Sequence, residues 1–257
     1  MIKFLLVTDL HYCEKNEPID RRHCLSANKL REIIGEYSKG CDFIVNLGDT
    51  ADGLPGYGDQ KVLMSEINDI LKSSGLPYYC AIGNHDTSLP KETITELLNM
   101  PHRYYSFDSK DYTCVVLDAN MNSPEKPYPE KEIKWAETFF DKKQMGWLSD
   151  VIDKSQKPVL IFCHEMFVRD TYDTIDDHVV MNKEEAVKIF EKNDKVKAAF
   201  SGHYHFGNYT YCNDIHYVTF NSLCLHEHKT FAIVTIDEGK VNIEGFGLQP
   251  SMGFNLR

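Results

Sequence analysis

Aspartate, asparagine and histidine residues recur directly after the apolar runs of this 257-residue chain. The densest group is Gly83-Asn84-His85-Asp86, which offers an amide oxygen, an imidazole and a carboxylate within one turn. Mixed oxygen and imidazole donors suit zinc, manganese or iron. One carboxylate can bridge two such ions held about 3.5–4 Å apart, a spacing typical of enzymes that act on phosphate esters. The same tetrapeptide is also ordinary turn composition, so its meaning depends on partners elsewhere in the chain.

The same residue types follow other apolar runs. They are Asp9 and His11, Asp49, His164, and His203 with His205. Because alternate residues of a strand project to one side, the Asp-x-His and His-x-His spacings suit ligands at a strand end. Each residue alone is weak evidence, since an aspartate there is more often a helix cap and a lone histidine more often belongs to the core. The ordered set, with every member after an apolar run, favours a shared metal centre.

The elements that must position these residues follow from the apolar pattern. Near-continuous apolar runs predict buried strands, and apolar residues at helical spacing predict helices between them. The strands are expected at 2–8, 42–47, 77–82, 157–163 and 196–201, and the helices at 20–38, 59–73, 90–99, 133–152 and 183–192. Because the first three strands alternate with helices, the polar groups at their carboxyl ends are expected to meet at one edge of a sheet.

The remaining segments predict hairpins and two long loops. Short strands are expected at 104–108, 111–118, 207–212, 215–220, 230–237 and 239–246. The polar loops 119–132 and 165–182 either cover a substrate or simply run over the surface, and the sequence does not separate these alternatives. No linker or repeat divides the chain, so we expect a mixed α/β fold in a single domain over residues 1–257.

Composition excludes several other classes of protein. The net charge of -11, without a basic block, argues against a nucleic-acid partner, and an anionic substrate would need bound cations beside it. The eight cysteines form no Cys-x-x-Cys pair, which favours small buried side chains in a reducing compartment. No apolar run approaches the roughly 20 residues of a membrane span. We therefore expect a cytoplasmic protein without a membrane partner, and its oligomeric state stays open.

The ordered motifs resemble those of the calcineurin-like metallophosphoesterase superfamily. They stand here as Asp9-Leu10-His11, Gly48-Asp49, Gly83-Asn84-His85-Asp86, His164 and Gly202-His203-Tyr204-His205. The resemblance implies a four-layer α-β-β-α sandwich with two packed mixed β-sheets and two divalent or transition metal ions, either manganese, iron or zinc. The implied ligands of the first metal are Asp9, His11, Asp49 and His205, and those of the second are Asp49, Asn84, His164 and His203.

The resemblance also implies the chemistry. A metal-bound hydroxide attacks phosphorus in line, while His85 assists the leaving group and Asp86 orients His85. The implied partner is a small phosphorylated substrate, with nucleotide-like compounds among the candidates.

One further segment, Gln144-Met145-Gly146-Trp147-Leu148, resembles the branch with cyclic-nucleotide phosphodiesterases and purple-acid-phosphatase-like enzymes. A departure follows His164, where Glu165-Met166-Phe167 stands in place of an early proline. We therefore expect a phosphodiesterase. A pyrophosphatase for ADP-ribose-like compounds and a phosphomonoesterase stay open. The alternatives from other classes are a non-catalytic scaffold, which would tend to lose ligands, and a structural zinc protein, which would favour cysteine.

The other histidines lie outside the ordered motifs. They are His23, His102, His178, His216, His226 and His228. Their helix, loop or outer-strand contexts predict mostly structural or solvated roles. His178 and His226 remain candidates for lining the substrate pocket.

Overall fold

The computed structural model describes residues 1–16, 20–127, 136–168, 178–192 and 194–256. The α-helices are α1 (Ser26–Tyr37), α2 (Gln60–Ser73), α3 (Lys91–Leu97), α4 (Lys142–Lys154) and α5 (Lys183–Glu191). The strands are β1 (Ile2–Val7), β2 (Phe43–Asn46), β3 (Tyr78–Cys80), β4 (Tyr105–Ser109), β5 (Tyr112–Val116), β6 (Met121–Ser123), β7 (Lys126–Pro127), β8 (Val159–Phe162), β9 (Val196–Ser201), β10 (Phe206–Cys212), β11 (Ile215–Asn221), β12 (Phe231–Asp237), β13 (Lys240–Phe246) and β14 (Met252–Asn255).

Two six-stranded sheets form the centre of the fold, and both are mixed. The first has the order β14-β13-β12-β1-β2-β3, in which β1, β2 and β3 are parallel and β12 is antiparallel to β1. The second has the order β10-β11-β9-β8-β5-β4, in which β11, β9, β8 and β5 are parallel. Strands β6 and β7 pair separately. The mixed α/β class expected from the sequence is confirmed.

Aromatic side chains fill the space between the two sheets. The ring of Phe4 on β1 meets those of Phe162 on β8 and Phe200 on β9, with centroids 5.8 and 6.1 Å apart. On the outer face of the second sheet, α4 and α5 bury Leu148 and Phe190. Helices α1 and α2 pack against the first sheet. The four-layer α-β-β-α sandwich is therefore confirmed.

Strand β8 shows why the central strands are continuously apolar. Leu160 and Phe162 belong to the core between the sheets, whereas Val159 and Ile161 belong to the core beneath α4 and α5. Alternate residues of a strand face opposite sides, so a strand covered on both faces has no polar position along its length. Polar side chains are consequently concentrated in the loops after the strand ends.

The expected helix at 20–38 begins later than its apolar pattern indicates. Helix α1 starts at Ser26, and His23–Leu25 forms a separate 3-10 turn. The N–H of Arg22 donates to the Cys224 carbonyl at 2.7 Å, which ties this segment to the loop before β12 instead of to a helix. Tertiary contacts have overridden local helical periodicity here.

The expected helix at 133–152 also begins later, at Lys142. Asp141 caps it, because its carboxylate accepts the Gln144 N–H at 2.9 Å. Residues 136–141 precede the helix, and 133–135 lie outside the described residues.

Both expected loops contain backbone pairing within the described residues. The segment 119–132 contains β6 and β7, and its residues 128–132 lie outside the described part. In the segment 165–182, the backbone N–H of Met166 donates to the backbone carbonyl of His178 at 3.2 Å. Residues 169–177 of this segment lie outside the described part. Strand β14 was not expected from the sequence. Among the described residues, no helix combines the length and the apolar character that a membrane crossing requires.

Candidate metal centre

Loops that follow β1, β2, β3, β8 and β9 meet at one edge of the sandwich. They bring together all the predicted ligand residues, which are Asp9, His11, Asp49, Asn84, His164, His203 and His205. Several adopt the left-handed backbone conformation, with φ of 52° at Asp9, 47° at His11, 50° at Asp49 and 68° at His203. Residues other than glycine rarely adopt this backbone conformation. Backbone strain of this kind concentrates at functional sites. Eight other non-glycine residues of the described chain also have positive φ, so the evidence for a site here comes from the convergence of the side chains.

Two motif glycines let these loops approach one another. A Cβ atom on Gly83 would lie 2.2 Å from the backbone nitrogen of Asp49. A Cβ atom on Gly202 would lie 2.6 Å from Oδ2 of Asp9. Both separations are far below van der Waals contact, so a side chain at either position would displace a carboxylate of the site.

We call Asp9, His11, Asp49 and His205 the first cluster. The Nε2 atom of His11 lies 3.3 Å from Asp49 Oδ2 and 3.1 Å from His205 Nε2. The Nε2 atom of His205 lies 3.4 Å from Asp9 Oδ1. Two imidazole nitrogens and two carboxylate oxygens thus point at one small volume.

We call Asp49, Asn84, His164 and His203 the second cluster. The Nε2 atom of His164 lies 3.3 Å from Asp49 Oδ2 and 3.2 Å from Asn84 Oδ1. Asp49, His164 and His203 offer ligand atoms that all lie within 4.8 Å of one another. The same Asp49 oxygen is 3.3 Å from a histidine of each cluster, which is the position of a bridging ligand.

The hydrogen bonds behind the rings fit metal ligation. The Nδ1 atom of His164 donates to the Leu47 carbonyl at 2.9 Å, and that of His11 donates to Asp52 Oδ1 at 3.2 Å. In neutral rings this leaves each Nε2 as a lone-pair donor, the arrangement usual for metal-bound histidine. The buried Oδ1 of Asp9 has no hydrogen-bond partner within the described residues. Converging lone pairs of this kind fit two cations.

Without metal, protons stabilise the same cluster. Burial lowers the pKa of His164, but the Asp49 carboxylate more than offsets this and raises the pKa to about 10. Burial and the neighbouring His164 lower the pKa of His203 to about 3. The Asp49 charge thus favours the protonated ring of His164, whereas burial favours the neutral ring of His203, which is the form that binds metal ions.

Asp52, which lies outside the predicted set, joins three histidines. Its Oδ1 contacts the Nδ1 atoms of both His11 and His85, and its Oδ2 lies 3.2 Å from Nδ1 of His23. Burial raises the pKa of Asp52, but His11 and the hydrogen bonds from the three rings lower it well below its usual range. A buried, ionised carboxylate thus faces three imidazoles.

The sequence model of the family described as "Calcineurin-like phosphoesterase" matches residues 2–207. The chain belongs to this family. It is accordingly a phosphoester hydrolase, and membership implies two metal ions, which the first and second clusters fit.

Two of the relatives that this chain resembles carry nucleotide compounds in their names, and a third, from Danio rerio, is named as a serine/threonine-protein phosphatase. A "manganese-dependent ADP-ribose/CDP-alcohol diphosphatase" of Arabidopsis thaliana is 26% identical over 258 residues, which cover 82% of this chain and 81% of the relative. A "probable cyclic nucleotide phosphodiesterase" of Psychrobacter arcticus is 24% identical over 64% of this chain and 57% of its own length. A solved dimetal phosphatase from Danio rerio has a TM-score of 0.84 at 18% identity, covering 100% of this chain and 99% of its own, and so shares the fold.

The prediction that Asp86 orients His85 is wrong. The Asp86 carboxylate accepts the backbone N–H groups of Gly83 and Thr50, each at 2.9 Å. It therefore ties the turn after β3 to the loop after β2. Burial and the Asp49 charge raise the pKa of Asp86 to about 7. The contact to Nδ1 of His85 comes instead from Asp52.

Sequence reasoning missed Asp52 and treated His23 as structural or solvated. The available signal was Gly48-Asp49-Thr50-Ala51-Asp52, where a second carboxylate follows the motif aspartate by three residues. His23 sits in the stretch expected as a helix, and the structure buries it against Asp52.

The two candidate pocket histidines have different positions. The His178 ring lies 5.0 Å from that of His203 and so borders the second cluster. His226 is 45% exposed and faces Asp20 at 3.8 Å.

The Gln144 segment lies behind the site. The side chain of Gln144 accepts the Asp118 N–H at 2.8 Å and donates to the Asp118 carbonyl at 2.7 Å. Asn120, which lies two residues after Asp118, donates from Nδ2 to the Ile82 carbonyl at 2.8 Å. Ile82 directly precedes the turn that carries Asn84. This segment therefore supports the second cluster without touching it.

Proposed function

We propose that the protein hydrolyses a phosphodiester or diphosphate bond of a small, nucleotide-type substrate with the help of two metal ions. The observation that supports this most directly is the position of Asp49 Oδ2, 3.3 Å from Nε2 of both His11 and His164. A single carboxylate oxygen shared between two imidazole-containing clusters suits a dinuclear centre of the kind that acts on phosphate esters. All the predicted ligand residues keep their assigned places in this proposal.

Electrostatics supports an anionic substrate at this site. When bound, the ions supply Lewis acidity and positive charge. The ligand set contributes the carboxylates of Asp9 and Asp49, with neutral amide and imidazole donors for the rest. Two divalent ions therefore leave local positive charge in a chain whose net charge is -11.

His85 is the proposed general acid. The backbone N–H of His85 donates to Asp49 Oδ1 at 2.8 Å, which places the residue against the proposed bridging ligand. Its Nδ1 contacts Asp52, so Nε2 is the nitrogen that remains to give a proton to the departing oxygen. Asp52 accepts from Nδ1 and so fixes the orientation of the ring, which leaves Nε2 for the proton transfer. The side chain is 19% exposed, whereas that of Asp52 is 1% exposed, so His85 is the member of the pair open to substrate.

An exposed aromatic residue favours a nucleotide over a simple ester. Phe206 follows His205 directly and is 70% exposed. Ring contacts of 5.0, 5.2 and 5.8 Å run from His203 through His178 and Tyr204 to Phe206. An unstacked ring at the rim of a phosphate site suits stacking on a nucleobase. The names of the plant and bacterial relatives, which refer to nucleotide compounds, support the same substrate class.

Manganese is the metal we propose first, since the plant relative is named for dependence on it, and iron and zinc are the alternatives. We also propose that residues 1–257 form one domain, because β12 pairs with β1 and so completes the first sheet. The eight cysteines, all free of disulfides, support a reducing, cytoplasmic location.

The test combines metal analysis with a substrate screen. Protein reconstituted with Mn²⁺ is assayed on bis-p-nitrophenyl phosphate, ADP-ribose, CDP-alcohols, cyclic nucleotides and simple monoesters. We expect two bound ions per chain and turnover of diesters or diphosphates above that of monoesters. Preferred turnover of monoesters would establish a phosphomonoesterase instead. Two bound ions with no turnover of any phosphoester, or a single metal site, would contradict the proposal.

A further inference from the structure

Asp52 has its two carboxylate oxygens in contact with different residues. Oδ1 faces the Nδ1 atoms of His11, a candidate ligand, and His85, the proposed general acid. Oδ2 faces Nδ1 of His23 at 3.2 Å. A carboxylate accepts hydrogen bonds and has none to give, so each ring nitrogen must be the donor.

His23 is held rigidly in place. It begins the 3-10 turn His23–Leu25 and is 1% exposed. Its ring stacks on that of His11, with centroids 5.3 Å apart and planes inclined by 15°. The next turn is anchored because Ser26 Oγ donates to the Leu10 carbonyl at 2.5 Å, between the two ligands of the first motif. This histidine therefore has little freedom to move away from Asp52.

We propose that His23 is a positioning residue, which fixes the Asp52 carboxylate and through it the rings of both His11 and His85. A carboxylate held at one oxygen can still rotate about its Cβ–Cγ bond, whereas one held at both oxygens has a fixed plane. Rotation of this plane would disturb both rings that share Oδ1. The proposal rests on the phosphoesterase activity proposed above.

Loss of this function has two signatures. Removing a side chain that supports a metal-bound histidine through a hydrogen bond typically lowers metal affinity by about 10–100-fold. One of the two metal sites should therefore bind its ion more weakly. A displaced His85 should matter most for poor leaving groups, because a departing alkoxide or phenolate of high pKa needs a proton more than p-nitrophenolate does. A general packing defect would lower the turnover of every substrate by the same factor.

Two polar variants separate position from packing. In His23→Asn, the side-chain amide can place an N–H where Nδ1 was, and in His23→Gln the amide reaches beyond it, near Nε2. His216→Leu is the matched control, because this histidine is also buried but contacts Tyr209 and Asn255, away from both clusters.

The experiment uses the full chain reconstituted with Mn²⁺ and two base-free substrates, methyl p-nitrophenyl phosphate and methyl phenyl phosphate. We expect His23→Gln to lose about tenfold more kcat on the phenyl ester than on the p-nitrophenyl ester. Calorimetric titration with Mn²⁺ should show one site weakened by about tenfold and the other unchanged. His23→Asn should stay within a few-fold of the wild type in both measurements.

Several results would overturn the proposal. Equal losses on both esters, unchanged affinity at both metal sites, or the same pattern in His216→Leu would each reduce His23 to a core histidine. If His23→Gln does not fold, His23→Asn still tests the proposal, because it keeps an N–H at the position of Nδ1. A loss of kcat about tenfold larger on the phenyl ester than on the p-nitrophenyl ester in His23→Asn would contradict the role of Nδ1. A wild type that turns over neither these esters nor any phosphoester of the substrate screen described above would instead refute the phosphoesterase proposal itself.

Discussion

His11 and His164 hold equivalent places in the two clusters, yet the partners of their second ring nitrogens differ. The Nδ1 atom of His11 donates to the side chain of Asp52 at 3.2 Å. That of His164 donates to the main-chain carbonyl of Leu47 at 2.9 Å. A main-chain partner remains under any substitution that preserves the fold, whereas a side-chain partner can be removed by one change. A single substitution can therefore remove the support of His11 in the first cluster, whereas the support of His164 in the second cluster comes from the main chain.

The difference also links binding to catalysis on one side of the site. Asp52 contacts His85 as well as His11, so the first cluster and the proposed general acid share one carboxylate. The second cluster has a separate support, from Gln144 through the Asp118–Asn120 loop to Ile82. We expect mutations near the first cluster to alter metal affinity and leaving-group chemistry together.

The largest effect is expected from Asp49→Ala, because this residue belongs to both clusters. Removing the shared oxygen should lower metal content below one ion per chain and turnover to the limit of detection. Metal analysis by mass spectrometry, after dialysis with Mn²⁺, measures this. Retention of two ions would show that the clusters do not depend on a common bridge.

His85→Ala should keep both ions but reduce kcat by about 10²–10⁴-fold, as expected for loss of a general acid. The metal content and the Mn²⁺ affinity of the variant are compared with those of the wild type. Loss of an ion would mean that His85 is a ligand and that the comparison between the clusters must be redrawn.

Asp52→Asn should separate the two clusters most clearly. The amide can no longer accept from three rings, so metal affinity at the first cluster should fall by about 10–100-fold while the second stays unchanged. Asp42→Asn is a matched control, since Asp42 precedes β2 and pairs with Lys110 away from the site. Titration followed by the Mn²⁺ electron paramagnetic resonance signal resolves the two affinities. Equal weakening of both sites would contradict the separate supports.

The smallest effect is expected from Phe206→Ala. Stacking on a base contributes about 1–3 kcal/mol, so KM for ADP-ribose or a cyclic nucleotide should rise by about 5- to 150-fold. KM for methyl p-nitrophenyl phosphate, which is smaller and carries no base, should change less. Tyr211→Ala removes another exposed ring of β10 and should leave both values unchanged. Identical behaviour of the two variants would remove the argument for a nucleobase platform.

The sequence was sufficient to place the motif residues directly after buried strands. His164 follows a strand that is apolar on both faces, and Asp9 and His11 follow another, so periodicity predicted these positions. The two strands belong to different sheets, and the meeting of their ends across the sandwich was implied only by the family resemblance. The late start of α1 at Ser26 was not predictable, because the preceding turn is held by the distant Cys224 carbonyl.

The roles of Asp52 and Asp86 could not be predicted from the neighbouring sequence either, because they also depend on contacts with distant residues. Both are short acidic residues in turns, and turns commonly contain aspartate. Which of them meets a histidine depends on the path of the loop after β2, which brings Asp52 to His85 and leaves Asp86 to accept main-chain N–H groups. Three-dimensional proximity across 33 residues decided this, and spacing along the chain could not.

The central claim is a dinuclear centre bridged by Asp49. Crystals of the full chain grown with Mn²⁺, measured at the manganese absorption edge, test it directly through the anomalous difference map. We predict two peaks about 3.5–4 Å apart, one in each cluster and both adjacent to Asp49 Oδ2. A single peak, or two peaks without contact to Asp49, would contradict the account.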